Sequence, residues 1–117
     1  MNLLTAIFGK PLPSLDVTEL SEKLNNGKQP LVLDVRQPEE FRTGHIAGAK
    51  SVPLSDLTGK TRSLPRNREI VCVCASGSRS HSATRSLIDA GYDAHNMKGG
   101  MLAWRSAGLP VKKGDAA

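Results

Sequence analysis

Two apolar runs stand out along the chain, Pro30–Val35 (PLVLDV) and Glu69–Cys74 (EIVCVC). Both are short and continuous rather than alternating, the pattern of strands buried on both faces in a parallel sheet. Around them the apolar spacing turns helical. In VTELSEKLNNG, Asp16 or Thr18 can cap a helix that puts Leu20 and Leu24 on one face, with Gly27 as its stop. Pro38 opens PEEFRTG at a favourable first helical position, and Glu39 and Glu40 suit the positive helix end. AKSVPL reads as a short strand, and SDLTG as at most one helical turn. SHSATRSLIDAG predicts a helix from about Ser80, with Ala83, Leu87, Ile88 and Ala90 inward and Gly91 as its stop. DAHNM is a weak strand, and GGMLAWRSAG a last short helix in which Leu102 and Trp104 are the packing candidates. Residues 1–13 form a lead-in arm, 14–111 the domain and 112–117 a tail.

Strand and helix alternate, which predicts an α/β domain with a central, mainly parallel sheet of about four to five strands and helices on both faces. A length of 117 residues suggests one domain. In such sheets, sites form beyond the carboxyl ends of the strands. Cys74 ends one predicted strand there, and Asp34 and Arg36 end another.

Composition narrows the function classes. Aromatics make up 3% of residues, so the core must come from Leu, Val, Ile and Ala. The net charge of +5 is spread along the chain. Its one loose cluster, Lys60, Arg62, Arg66 and Arg68, reads as a solvated loop, and neither a nucleic-acid motif nor an aromatic stacking row accompanies it. No apolar run reaches membrane-spanning length. MNLLTAIFGKPLPS lacks the basic start and the length of a signal peptide. The two cysteines, Cys72 and Cys74, sit two residues apart, where strand Cα atoms are about 6.5 Å apart, a poor geometry for a disulfide. A single Cys-x-Cys is a weak zinc signal, and free thiols suit a reducing compartment such as the cytoplasm.

The stretch after Cys74 carries the chemistry. Ala75, Ser76, Gly77, Ser78 and Arg79 lead into the helix near Ser80. Small residues let the backbone curl and leave its amides uncovered, and such amides at a helix N-terminus cradle anions. The same field favours a thiolate over a thiol. Cys74 is therefore the candidate nucleophile, and Arg79 an anion contact or a brace for the loop. Ser76, Ser78 and Ser80 are either hydrogen-bond donors or small fillers and a cap. Cys72, inside the strand run, reads as a small buried hydrophobe.

Three segments together resemble the single-domain rhodaneses, a sulfurtransferase family: LDVRQPEEFRTGHIAGAKSVPL, IVCVCASGSRS and MKGGMLAWRSAGLPV. The family pattern is met at Asp34, Arg36, Glu40, Phe41, Gly44, His45, Ile46, Gly48, Ala49 and Pro53. It continues at Cys74, Gly77, Arg79 and Ser80, and again at Gly99, Gly100, Trp104, Gly108, Pro110 and Val111. The likeness spans about Ser14 to Val111. It implies ping-pong sulfur transfer through a persulfide on Cys74, from a small anionic donor such as thiosulfate to cyanide in an assay or to a thiol or thioredoxin-like acceptor. Ala75 to Ser80 would be the substrate loop, with no cofactor and no metal, and the protein a monomer or weak dimer without nucleic-acid or membrane partners. Asp34, Arg36, Glu40 and His45 are expected as an ion-paired rim and framework. Ala75 and Ser78 stand where thiosulfate-preferring members often carry basic residues, which argues against a strong thiosulfate preference. Nor does the loop match the Cys-Gly-[Ser/Thr]-Gly-Val-Thr of mercaptopyruvate-using members. A Cys-x5-Arg phosphatase loop would need arginine at position 80, where Ser80 stands. The remaining rival is a persulfide relay or protein-interaction module with little turnover of small donors.

Overall fold

Residues 11–117 are described by a computed structural model of the chain; the expected arm at 1–13 lies mostly outside them. The strands are β1 (Ser14–Leu15), β2 (Leu31–Asp34), β3 (Lys50–Ser51), β4 (Ile70–Val73) and β5 (Ala94–Met97). The helices are α1 (Val17–Leu24), α2 (Pro38–Arg42), α3 (Leu57–Lys60), α4 (Ser78–Asp89) and α5 (Gly100–Ser106). All strand pairs are parallel, in the order β1-β5-β4-β2-β3, so the α/β architecture of the apolar runs holds.

Side chains alternate across the sheet and build a core on each face. Leu33, Val35, Ile70, Cys72 and Cys74 face α4 and pack with Ala83, Leu87 and Leu57. Val32, Val71, Val73 and Met97 face the other side, where Leu20, Phe41, Met101 and Trp104 of α1, α2 and α5 cover them. Thus β2 and β4, each covered twice, read as unbroken apolar runs.

Local signals set most element ends, and several fall elsewhere than expected. Asp16 caps α1 in a capping box with Glu19, but the helix ends at Leu24 with Asn25 as its cap, ahead of Gly27. SDLTG was expected to make at most one turn; instead Leu54–Ser63 winds through two 3₁₀ turns around α3. Strand β4 stops at Val73, one residue before Cys74, because α5 takes over the backbone acceptors that follow. Helix α4 starts at Ser78 rather than Ser80 and turns Ser80, Ala83, Thr84 and Leu87 inward. Ile88 is 36% exposed because one step of 100° past Leu87 leaves the buried row, and Ala90, the C-cap beyond the end of α4, is exposed as well. In α5 the inward row is Gly100, Met101 and Trp104, which leaves Leu102 66% exposed.

Residues 112–117 turn back onto α2. His45 and Lys112 exchange backbone hydrogen bonds, Gly114 donates to the Arg42 carbonyl, and Arg42 pairs with Asp115 at 2.6 Å. The order of strands also places the site. The connection after β2 runs toward one edge, to β3, and that after β4 runs in the opposite direction, to β5, so the crevice opens at the carboxyl ends of these two neighbours. Cys74 and Arg36 lie just past those ends, and Asp34 pairs in register with Val73.

Candidate functional site

The segment after β4 closes around one sulfur. The Gly77 N–H donates to Cys74 Sγ at 3.1 Å, and the Ser80 hydroxyl lies 3.3 Å from it. Gly77 is the N-cap of α4 with φ +104°, a left-handed backbone that a side chain would strain. This turn swings the first amides of α4 toward the sulfur. The Cys74 side chain is fully covered, and burial acts to raise its pKa. Hydrogen bonds from the Ser80 hydroxyl and from the N–H groups of Ser80, Gly77 and Ser76 outweigh that, so the thiol lies below its ordinary value of 9.0. Two residues back, burial pushes the Cys72 thiol up to about 12, against a lowering hydrogen bond from Thr84. The alkylation rate of Cys74 by iodoacetamide is therefore expected to rise with pH with a midpoint below 9.0, while Cys72 stays unreactive there. Peptide mapping of the labelled protein against pH checks this, and a Cys74 midpoint at or above 9.0 would contradict it.

The carbonyls of the same segment point the other way. Met101 N–H donates to the Cys74 carbonyl at 2.8 Å and Leu102 N–H to that of Ala75 at 3.0 Å. The free N–H groups at the start of α5 thus hold the loop's acceptors outward, and its donors are left to face the sulfur. The approach is close because Gly100 has no side chain: a Cβ there would lie 2.5 Å from Ala75 C and O and from Cys74 O.

Ion pairs frame the loop. Arg79 grips Glu40 of α2 through both nitrogens, at 2.7 and 2.9 Å. Arg36 donates through Nε and Nη2 to buried Asp34 and through Nη2 to the Gly44 carbonyl at 2.9 Å. A cavity of about 180 Å³ opens beside the loop, between Ala75, Glu40 and the start of α5.

A family model, "Rhodanese-like domain", matches residues 16–107. The chain belongs to the rhodanese-like family. A "Sulfurtransferase" of Allochromatium vinosum is 34% identical over 98 residues, covering 83% of this chain and 92% of that one. An HTH-type transcriptional regulator of Mycobacterium tuberculosis is 36% identical over 110 residues; these cover 92% of this chain but 48% of the regulator, so the chain spans about half of that relative. Among solved structures, a rhodanese-related protein of Thermoplasma volcanium superposes with a TM-score of 0.81 at 33% identity, over 86% of this chain and 97% of that one. The family match and the relative named a sulfurtransferase support sulfur transfer as the general class of chemistry.

Within this rhodanese-like site the structure sorts the residues expected from sequence. It gathers Cys74, Gly77 and Ser80 around the sulfur, while Ser76 and Ser78 are exposed and face each other at 3.4 Å. The Arg79 side chain is held by Glu40, the contact that a bracing role requires. Asp34, Arg36 and Glu40 form the ion-paired rim. His45 stands apart: it stacks on Phe41 at 3.6 Å, and its ring nitrogens contact the carbonyls of Phe41 and Ala116. His81 is exposed. The role of Gly100, Met101 and Leu102 in orienting the loop had no signal beyond the Gly-Gly pair, since no spacing rule says which carbonyl a helix end will meet. Among the described residues, the one group with metal-ligand geometry is Glu69, Asp93 and His95 at the opposite strand ends; there Lys23 already donates to both Glu69 oxygens.

The Arg79 hydrogen bonds lower the Glu40 pKa from 4.5 to about 2. A depressed carboxyl stabilises the fold fully above its unfolded value, and that contribution disappears as pH falls toward the folded one. The stability gap between the wild type and Glu40→Gln is therefore expected to be constant above pH 4.5 and to close between 4.5 and 2. Urea unfolding of both proteins across that range measures it, and a gap unchanged at the acid end would count against the pairing.

Proposed function

We propose that the protein is a sulfurtransferase that carries a sulfane sulfur as a persulfide on Cys74. The convergence of the Gly77 N–H and the Ser80 hydroxyl on Cys74 Sγ carries this reading. In the first step the thiolate attacks the outer sulfur of an anionic donor. With thiosulfate, the donor S–S bond breaks, sulfite leaves with the bonding pair, and the new Sγ–S bond holds a persulfide anion. In the second step a thiophilic acceptor, cyanide in an assay or a thiol in the cell, attacks that outer sulfur and returns the thiolate. Every species at the sulfur is anionic, and the main-chain donors that stabilise the thiolate serve the persulfide as well. Because Cys74 is covered at rest, the donor reaches it only when the loop shifts, and Ala75, Ser76 and Ser78 have little bulk to move. Residues of the chain supply all of this chemistry without a cofactor. Two free cysteines, Cys72 and Cys74, fit a reducing compartment, which we take to be the cytoplasm.

A relay with slow turnover of small donors is favoured by one observation: Arg79, the loop's own cation, is already paired with Glu40 at 2.7 Å. Mass spectrometry after thiosulfate treatment, run beside a cyanide–thiocyanate assay, decides between the readings. A gain of one sulfur atom on Cys74 with multiple turnovers means an enzyme, and the same gain without turnover means a relay. No gain with thiosulfate or with an organic persulfide would sink both.

A further inference from the structure

The cavity beside the loop is lined by Ala75, Met101, Leu102, Arg36, Glu40 and Arg105, among others. Its charges are matched except for one. Arg36 is paired with Asp34 at 2.8 Å and Glu40 with Arg79 at 2.7 Å. Arg105 is exposed and has no carboxylate partner among the described residues. Its Nη2 touches only the neutral carbonyls of Thr43 at 3.5 Å and Gly44 at 3.4 Å, both at the long limit of a hydrogen bond. A guanidinium so loosely held can take a carboxylate at little cost in lost contacts, in the forked geometry that suits it.

The other wall is apolar. Met101 and the 66%-exposed Leu102 line the cavity between Arg105 and Ala75, the residue after Cys74. The space, about 180 Å³, equals roughly six waters at about 30 Å³ each. That holds a chain of a few carbons and a carboxylate, but not a folded partner.

We infer that this cavity seats the non-reacting end of a small organic persulfide, its carbon chain on Met101 and Leu102 and its carboxylate on Arg105. Arg105 is then the specificity-determining residue for donors. The inference rests on the sulfur-transfer reading of Cys74 and names the donor class for it. The step balances without an oxidant or reductant. The Cys74 thiolate attacks the outer sulfur of R–S–SH, the donor S–S bond breaks, and R–S⁻ leaves with the bonding pair. The Sγ–S bond forms, and the proton stays on the transferred sulfur. Thiosulfate has no carbon body to span the cavity, so its reaction depends far less on Arg105.

The test compares the persulfides of 3-mercaptopropionate and of 2-mercaptoethanol, which differ in the carboxylate, with thiosulfate, using cyanide as acceptor. Arg105→Gln is expected to raise KM for the carboxylate donor about ten-fold with kcat little changed, the scale of one charge-assisted hydrogen bond. KM for the hydroxyl donor should move by less than about two-fold on the same grounds. Arg105→Lys should recover most of the loss, and Arg105→Glu should deepen it for the carboxylate donor alone. Equal changes for both persulfides, or none for either, would overturn the inference while leaving sulfur transfer by Cys74 intact. Failure of the wild type to gain sulfur from any of the three donors would instead overturn the parent reading, and this one with it.

Discussion

Alanine at position 74 is expected to abolish sulfur transfer, a fall on the order of 10³-fold or more, since no other group can hold the transferred atom. Cys72→Ala should keep most of the activity. The contrast is informative because the two thiols are neighbours with the same side-chain chemistry, and both are fully buried on the α4 face of the sheet. They differ in their donors. Cys74 lies one residue beyond β4, where the amides of Ser76, Gly77 and Ser80 turn inward. Cys72 lies within β4, and its thiol is pushed up to about 12. At neutral pH the second sulfur is protonated and inert. Thiocyanate formation by the two variants, with intact mass after donor treatment, measures the difference. A dead Cys72→Ala beside an active Cys74→Ala would invert the assignment of the nucleophile.

Gly100→Ala should come next in size. The added Cβ would stand 2.5 Å from the backbone of Ala75 and Cys74, and φ at position 100 is +59°. Something must shift, and what it meets is main chain rather than the free end of a side chain. The hydrogen bonds from Met101 and Leu102 to those two carbonyls would then lengthen, and the loop would lose the restraint that turns its amides inward. A displacement on the order of 1 Å in such a site costs about 10²-fold in rate. The same shift should move the Cys74 alkylation midpoint upward toward the ordinary thiol value. Leu102→Ala keeps the backbone and serves as the control for surface loss at the same helix end; it should leave the midpoint where it is. If Gly100→Ala kept both the rate and the midpoint, the close approach of α5 would have no part in orienting the loop.

Much of the architecture could be read directly. The runs at 30–35 and 69–74 are apolar on both faces and became neighbouring central strands. Asp16 and Pro38 each start a helix through interactions within one turn. Where a reading missed, the contact that decided the matter came from far along the chain. Leu102 is a packing candidate on sequence, but the docking of α5 on the loop fixes the rotation of that helix and turns Met101 inward instead. The start of α4 moved to Ser78 because Gly77 can adopt the left-handed turn that Cys74 requires. Arg79 offered two roles on sequence, and its ion pair is with Glu40, 39 residues earlier, which no local pattern announces. His45 kept to its framework position, with its ring contacts inside the α2 region and the C-terminal turn.

By itself the sequence determined the alternation of strand and helix, a cysteine just past a strand end, and a loop too small to hide its amides. Those are local properties: periodicity, side-chain volume and the torsions glycine permits. Only the tertiary structure decided which way the amides point, which cation is neutralised and which is left with an open valence at the cavity. Each of those depends on groups brought within about 3 Å from distant parts of the chain, at the range where hydrogen bonds and ion pairs act. A thiol's acidity is the sum of such contacts, so the lowered pKa of Cys74 comes from the fold and only its sulfur from the sequence.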